Sequence, residues 1–225
     1  IFDEFLEEKP PIPGDQNVAE IKHHAVNRHT GTIRPTIGLL VELNRGPSMK
    51  NNIGLFITKR AQLTPKTEAV IDITTGQRQN YVQLNERCNR VANGLTDGGL
   101  AIGDRIATLL MNGSEFVETF FGTAKAGGVI VALNWRLVAD ELSFILTDSG
   151  ANTMVFGTAF NEIVTDLQSR GTDGTQVTKW IHVGDAADRP DFADGYEDIL
   201  TRASTDEHNV TACDDDLLFI MYTSG

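Results

Sequence analysis

The residues with the clearest chemical potential lie at the end of the chain, where an apolar run is followed by small polar residues. Residues 217–221 predict a buried strand, and Tyr222, Thr223, Ser224 and Gly225 follow it directly. Glycine lets a backbone approach a ligand closely, and hydroxyl groups and exposed amides donate hydrogen bonds to an anion. The segment therefore predicts a phosphate-binding loop, with an ordinary Thr-Ser-Gly turn as the alternative.

The other residues that could do chemistry favour no second site. Cys88 and Cys213 are far apart and lack metal-ligand spacing, which favours two reduced thiols. The formal net charge of −12 argues against a general nucleic-acid binder. Residues 184–216 hold eleven acids and two bases, and so account for −9 of that charge. Because these acids show no ordered ligand spacing, we interpret the segment as a solvated surface loop and not as a metal site.

Apolar strands and amphipathic helices alternate from Met49 onward and must position these residues. The predicted strands cover 68–73, 78–82, 105–111, 129–133, 152–157, 179–183 and 217–221, and helices are predicted over 53–63, 84–95, 140–147, 160–167 and 196–203, with one more capped by Ser114 and closed by Gly127. This alternation predicts a doubly wound α/β fold with a mostly parallel sheet. Ligands bind beyond the carboxyl ends of such strands, which makes Asn112, Asn134 and residues 222–225 the candidates.

Several separate segments, in matching order, carry a resemblance to one protein family. They are Tyr81–Asn85, Asn89–Leu95, Gly99–Ala107, Asn112 with Glu115 and Phe116, Ala124–Val129, Leu133–Leu137, Glu141–Leu146, Asp148–Ala151 and Asp215–Gly225. The chain resembles the AMP-forming acyl-CoA synthetases of the adenylate-forming superfamily, and most of all bacterial fatty-acid–CoA ligases. In that family the last segment continues as Thr-Thr-Gly-x-Pro-Lys-Gly. Residues 49–225 are therefore expected to be the N-terminal portion of the AMP-binding domain, truncated inside the phosphate loop.

The resemblance implies a two-step reaction of a carboxylic acid with ATP and then CoA, through an acyl-adenylate, with Mg²⁺ at the phosphates. It implies that Thr223, Ser224 and Gly225 contact the phosphates of ATP. No catalytic residue and no metal ligand is expected within the chain, because the family places them further on. We therefore expect the parent protein to be a cytoplasmic ligase and this piece alone to be inactive.

Residues 1–48 differ from the rest and have no counterpart in the resemblance. They hold five of the seven prolines, and their apolar residues show no sustained period. We interpret them as an irregular arm or as an upstream artefact of the gene model. His23, His24 and His29 within this stretch are more typical of solvated side chains than of metal ligands.

Some interpretations compete. Other adenylate-forming enzymes, such as aryl-acid–CoA ligases and peptide-synthetase adenylation domains, and a non-catalytic flavodoxin-like binding module are the alternatives for function. Five side chains could contact a ligand, but a structural role is favoured for each. Trp135 and Arg136 are expected to cover the sheet edge, Phe120 and Phe121 to lie in the core, and Lys125 to be a surface charge.

Overall fold

A computed structural model describes residues 52–73, 75–209, 212–213 and 215–223. The interpretation of residues 1–48 and the predicted roles of Ser224 and Gly225 lie outside the described residues. In the described part of the chain, no helix is long and apolar enough to cross a membrane.

Strands and helices alternate along the described chain. The strands are β1 (Glu68–Ile71), β2 (Arg78–Asn80), β3 (Arg105–Leu109), β4 (Val129–Ala132), β5 (Thr153–Gly157), β6 (Lys179–Val183), β7 (Asp194–Gly195) and β8 (Phe219–Met221). The helices are α1 (Gly54–Leu63), α2 (Tyr81–Asp97), α3 (Ser114–Ala126), α4 (Ala139–Ser149), α5 (Asn161–Ser169) and α6 (Tyr196–Arg202). Single 3-10 turns cover Thr158–Phe160, Gly171–Asp173 and Ala186–Asp188.

Six of the strands form one parallel sheet in the order β7-β6-β5-β3-β4-β8. Ile106 in β3 pairs with Ile130 of β4 on one side and with Thr153 of β5 on the other. After β4, the chain therefore crosses to the opposite side of β3, which confirms the predicted doubly wound arrangement. Strands β1 and β2 form a separate antiparallel pair.

Helices cover both faces of the sheet, because successive residues of a buried strand point to opposite sides. Ala107 and Leu109 of β3 belong to a core that includes Leu146 of α4 and Val164 of α5. Ile106 belongs to a second core, whose members include Val91 and Leu95 of α2 and Leu200 of α6. The apolar strand segments of the sequence are therefore buried on two sides.

Helix boundaries differ from the predicted ones where a cap decides them. The side chain of Asn80 accepts a hydrogen bond from the Gln83 amide at 3.0 Å, and the side chain of Gln83 accepts one from the Asn80 amide at 2.9 Å. This capping box starts α2 at Tyr81, so Tyr81 and Val82 are helical and not part of the predicted strand. Ser114 is the first residue of α3, and Gly113 occupies the cap position predicted for Ser114.

The acidic segment 184–216 is more structured than a surface loop. It contributes the two-residue strand β7, which was too short for the sequence pattern to indicate, and the expected helix α6. Most of its described acids are exposed, as predicted. Glu197 and Glu207, however, form ion pairs with the partly buried Arg87 and the buried Lys125, so cations of α2 and α3 hold part of the segment.

Two glycines allow the helices around Lys125 to pack closely. A Cβ atom at Gly122 of α3 would lie 2.5 Å from the side chain of Val91 in α2. A Cβ atom at Gly54 of α1 would lie 2.6 Å from Cγ of Lys125. Helices α1, α2 and α3 can therefore approach each other only because these positions lack a side chain.

Candidate functional site

The candidate ligand-binding residues follow three adjacent strands of the sheet. Asn112 lies beyond β3, Asn134 beyond β4 and Thr223 beyond β8, and the sheet order places β4 between β3 and β8. Their side chains are all exposed. The three positions therefore share the carboxyl edge of a parallel sheet, where doubly wound folds bind ligands.

Thr223 is the last described residue of the predicted phosphate loop, and Tyr222 fixes the chain just before it. The phenol of Tyr222 donates a hydrogen bond to Oδ2 of Asp148 at 2.6 Å. Burial and this carboxylate raise the pKa of Tyr222 to about 12. The exposed Thr223 side chain leaves its hydroxyl available as a donor to an anion, whereas Ser224 and Gly225 lie outside the described residues.

The residues after β4 form a compact polar turn. The side-chain oxygen of Asn134 accepts a hydrogen bond from the amide of Arg136 at 3.1 Å. The Arg136 guanidinium lies 4.5 Å from the ring centroid of Trp135, which keeps 46% of its surface exposed. The two side chains stack on each other at the edge of the sheet, in a cation–π contact worth about 0.5–1 kcal/mol at such an exposed position.

Phe120 and Phe121 are only partly buried, so the expectation that both lie in the core is half correct. Their rings meet edge to face, with centroids 5.3 Å apart. Phe121 packs against the cluster of Ile57, Leu84 and Cys88. Phe121 therefore joins α3 to α1 and α2.

Lys125 is not the surface charge that the sequence indicated. It is 1% exposed, and its Nζ is surrounded by oxygen atoms. These are Oγ1 of Thr58 at 2.7 Å, Oδ1 of Asn85 at 2.8 Å, Oδ1 of Asn89 at 2.7 Å and Oε1 of Glu207 at 2.6 Å. Burial lowers the pKa of the Lys125 ammonium, and the Glu207 carboxylate opposes that effect. Every proton of the ammonium has an acceptor, so this side chain binds the fold together and has no free donor for a phosphate.

Helix α2 also holds the strap, which we define as residues 203–208. Nδ2 of Asn89 donates to the carbonyl of Thr205 at 3.0 Å. Nδ2 of Asn93 lies 2.9 Å from the carbonyl of Ser204 and 3.0 Å from that of Asp206. The strap thus satisfies its backbone carbonyls on the polar face of α2, and its Glu207 reaches Lys125 from there.

The carboxylate of Glu118 in α3 is buried and is matched by one cation and two neutral donors. Oε2 of Glu118 accepts a hydrogen bond from Nη2 of Arg87 at 2.8 Å and from the Tyr196 hydroxyl at 3.2 Å. Nε2 of Gln79 donates to Oε1 at 3.0 Å. Arg87 also pairs with Glu197 on the surface side at 2.6 Å. The network links α2, α3 and α6.

Acid should destabilise the chain through Glu207. Although burial opposes the effect, hydrogen bonds from Lys125 and Thr58 hold the pKa of Glu207 below its ordinary value of 4.5. A carboxyl group of this kind stabilises the fold above its ordinary pKa, and the contribution disappears as the pH falls through the lowered value. We expect the urea midpoint of Glu207→Gln to fall less steeply than that of the parent chain between about pH 5 and about pH 3. Glu162→Gln, on the exposed surface of α5, is the control. Identical slopes for all three chains would contradict the prediction.

Comparison with known proteins decides the family. The model of the AMP-binding enzyme family matches residues 57–225. The chain belongs to this family. The match includes the whole parallel sheet and the segment around Thr223, which confirms the resemblance on which the sequence interpretation was based.

The relatives agree on the kind of enzyme. The chain is 39% identical over 174 residues to a long-chain-fatty-acid–CoA ligase, FadD13, of Mycobacterium tuberculosis, which covers 77% of this chain and 33% of that protein. It is 42% identical over 104 residues to a fatty acid–[acyl-carrier-protein] ligase, ScoC, of Streptomyces coeruleorubidus, which covers 46% of this chain and 20% of that protein. A solved Mycobacterium tuberculosis fatty acyl CoA synthetase superposes with a TM-score of 0.69 at 38% identity, over 77% of this chain and 32% of that one.

These matches fix the fold and its place in the family. The α/β fold with its parallel sheet corresponds to the N-terminal domain of adenylate-forming enzymes. The chain spans about a third of the length of the FadD13 relative. The contacts that sequence reasoning missed include those of the buried Lys125 and that of Asp148 with Tyr222. Only the spacing of Asn85, Asn89 and Asn93 on one face of α2 signalled the first of them.

Proposed function

We propose that this chain is the amino-terminal part of an ATP-dependent fatty-acid–CoA ligase of the AMP-forming type. In the first step, a carboxylate oxygen attacks the α-phosphorus of ATP, which forms the acyl-adenylate and releases pyrophosphate. In the second step, the thiol of CoA attacks the acyl carbon, loses its proton and displaces AMP. The observation that carries the proposal is the 39% identity over 174 residues to a long-chain-fatty-acid–CoA ligase.

The residues of this chain would act in the first step. Thr223 lies directly beyond the Tyr222 anchor at the carboxyl edge of the sheet, and its exposed hydroxyl suits a donor to the phosphates. Ser224 and Gly225 would extend the same loop with a second hydroxyl and with backbone amides. Such donors stabilise charge that develops on the phosphate oxygens as pyrophosphate departs.

Mg²⁺ belongs to the proposal as the ion that offsets the charge of the ATP phosphates. Within the described residues, no group of three or more histidine, cysteine, aspartate or glutamate side chains could hold a metal ion. Hard cations at ATP sites are commonly bound by one or two carboxylates and by the phosphates themselves.

The proposal also places the enzyme in the cytoplasm. Cys88 is buried and Cys213 is partly exposed, and the two are not joined in a disulfide. Burial raises the pKa of the Cys88 thiol to about 12, which keeps it protonated and unreactive. Unpaired thiols of this kind are typical of reducing compartments.

The proposed function is tested with the full-length protein and with the 225-residue chain in parallel. We expect the full-length protein to convert a long-chain fatty acid, ATP, Mg²⁺ and CoA to acyl-CoA, with one AMP formed per thioester. We expect no thioester from the 225-residue chain, because one loop of phosphate donors does not assemble both half-reactions. Product is measured by chromatography of the acyl-CoA and of AMP.

Four results would contradict parts of this proposal in different ways. If the full-length protein exchanges pyrophosphate into ATP with no carboxylic acid, the assignment as an adenylate-forming ligase is wrong. If exchange requires an aryl acid, the substrate class is wrong. If the adenylate forms but the acyl group passes to acyl-carrier protein and not to CoA, the acceptor is wrong. Turnover by the 225-residue chain would show that it contains every residue needed for catalysis.

A further inference from the structure

The carboxylate of Asp148 occupies an unfavourable place for the stability of its own helix. Asp148 lies in the last turn of α4, where the helix dipole repels negative charge, and that turn contains no basic residue. Its Oδ2 instead accepts the phenol proton of Tyr222 at 2.6 Å, across 74 residues of sequence. A residue that departs from the local rule and makes a long-range contact indicates a role outside its own helix.

The backbone next to Tyr222 receives little other support. Strand β8 pairs with β4 alone in the described sheet, and its ladder ends at Met221, opposite Ala132. Phe219 and Met221 are 45% and 63% exposed. Ile220 and Tyr222 alternate with them and pack against the core that lies beneath α4. Beyond the last β4–β8 pair, the Tyr222 side chain therefore holds the described backbone before Thr223 against the core and α4.

We propose that Asp148 is a positioning residue for the phosphate loop, acting through the Tyr222 hydroxyl to fix the backbone that presents Thr223. This inference rests on the proposed function, because it assigns a purpose to the start of that loop. The ring of Tyr222 sets where the strand leaves the core, and the hydrogen bond to α4 sets its rotation. Donors that are already oriented lose little free energy to reorganisation when the phosphate charge develops.

The tether itself is tested on the 225-residue chain by hydrogen–deuterium exchange at residues 219–223. Tyr222→Phe keeps the ring but removes the donor, and Asp148→Ala removes the acceptor. We expect each change to speed exchange about fivefold, the size expected for one hydrogen bond, and the double variant to be no faster than either single one. Asp148→Asn keeps an acceptor oxygen and should stay close to the parent chain. Glu162→Ala, on the exposed surface of α5, is the control.

The positioning role is tested in the full-length protein by separating the two half-reactions. We expect Tyr222→Phe and Asp148→Ala to lower kcat/KM for ATP about fivefold in pyrophosphate exchange, with recovery in Asp148→Asn. Transfer from a preformed acyl-adenylate to CoA should be unchanged, since pyrophosphate is gone before that step. A purely structural role would slow both half-reactions together.

The possible failures are distinguishable. If the rate of hydrogen–deuterium exchange in β8 is the same in Tyr222→Phe and Asp148→Ala as in the parent chain, the tether does not fix the backbone and the inference is wrong. If hydrogen–deuterium exchange speeds up but both half-reactions slow equally, the tether is structural and the inference is again wrong. The proposed function stands in that case. If the parent full-length protein forms no adenylate, the proposed function and this inference fail together.

Discussion

Replacing Lys125 by methionine should lower the free energy of unfolding by about 3 kcal/mol, the lower end of the range for breaking a buried ion pair. The ammonium is 1% exposed and bonded to four oxygens, two of which belong to Asn85 and Asn89. Methionine fills a similar volume but donates nothing, so those oxygens lose a donor inside the protein. Glu207 keeps 38% of its side chain exposed and can be partly rehydrated, which limits the loss.

The measurement is urea unfolding at neutral pH, followed by circular dichroism. The matched control is Lys59→Met on the exposed face of α1, which should change the free energy of unfolding by less than about 0.5 kcal/mol. Adding Glu207→Gln to Lys125→Met should recover part of the loss, because the uncompensated carboxylate is then removed. Equal stabilities of the Lys59 and Lys125 variants would show that desolvation of the ammonium cancels its four contacts.

The sequence was sufficient for the fold because the relevant signals are local. The apolar run Arg105–Leu109 and its counterparts could be buried only in a sheet covered on both faces, and the intervening helices confirmed this. Errors arose at boundaries where a side chain competes with the pattern. Val82 continues an apparent strand in the sequence, yet the capping box of Asn80 and Gln83 turns it into helix.

The surroundings of Lys125 could not be predicted, because they depend on partners far away in sequence. Lysine is almost never fully buried unless it is paired, so a surface position was the reasonable expectation. Its carboxylate partner, Glu207, lies 82 residues further along the chain. In the sequence Glu207 is one acid among eleven within 184–216, with nothing to distinguish it.

The candidate site was predicted in part, unlike the fold, which was predicted, and the surroundings of Lys125, which were not. The sequence indicated that Thr223 follows a strand, and the structure shows the sheet edge that it shares with Asn112 and Asn134. Nothing in the sequence indicated that the Tyr222 hydroxyl would contact the Asp148 carboxylate. Phenol and carboxylate are both common on protein surfaces, and only the packing of β8 beside β4 brings them into contact.

In the full-length protein, Thr223→Ala and Ser224→Ala should each slow adenylate formation by about 30- to 1000-fold, which corresponds to about 2–4 kcal/mol of barrier. These values apply to the loss of one preoriented donor from a site where charge develops. The exposed Thr223 hydroxyl follows the anchored Tyr222 by one residue, which favours such preorientation. Redundant donors elsewhere in a glycine-rich loop would bring the slowing of adenylate formation towards the lower end of this range.

The two half-reactions should respond differently, and that difference separates a phosphate ligand from a structural residue. Pyrophosphate leaves in the first step, so a donor to the β- and γ-phosphates stabilises charge that is absent when CoA attacks. Pyrophosphate exchange should therefore slow strongly, whereas CoA transfer from a preformed acyl-adenylate should not. Thr223→Ser retains the hydroxyl, so its rate of pyrophosphate exchange is expected to stay close to that of the parent protein. Slowing of both steps to the same extent would show that Thr223 and Ser224 shape the loop without contacting the phosphates.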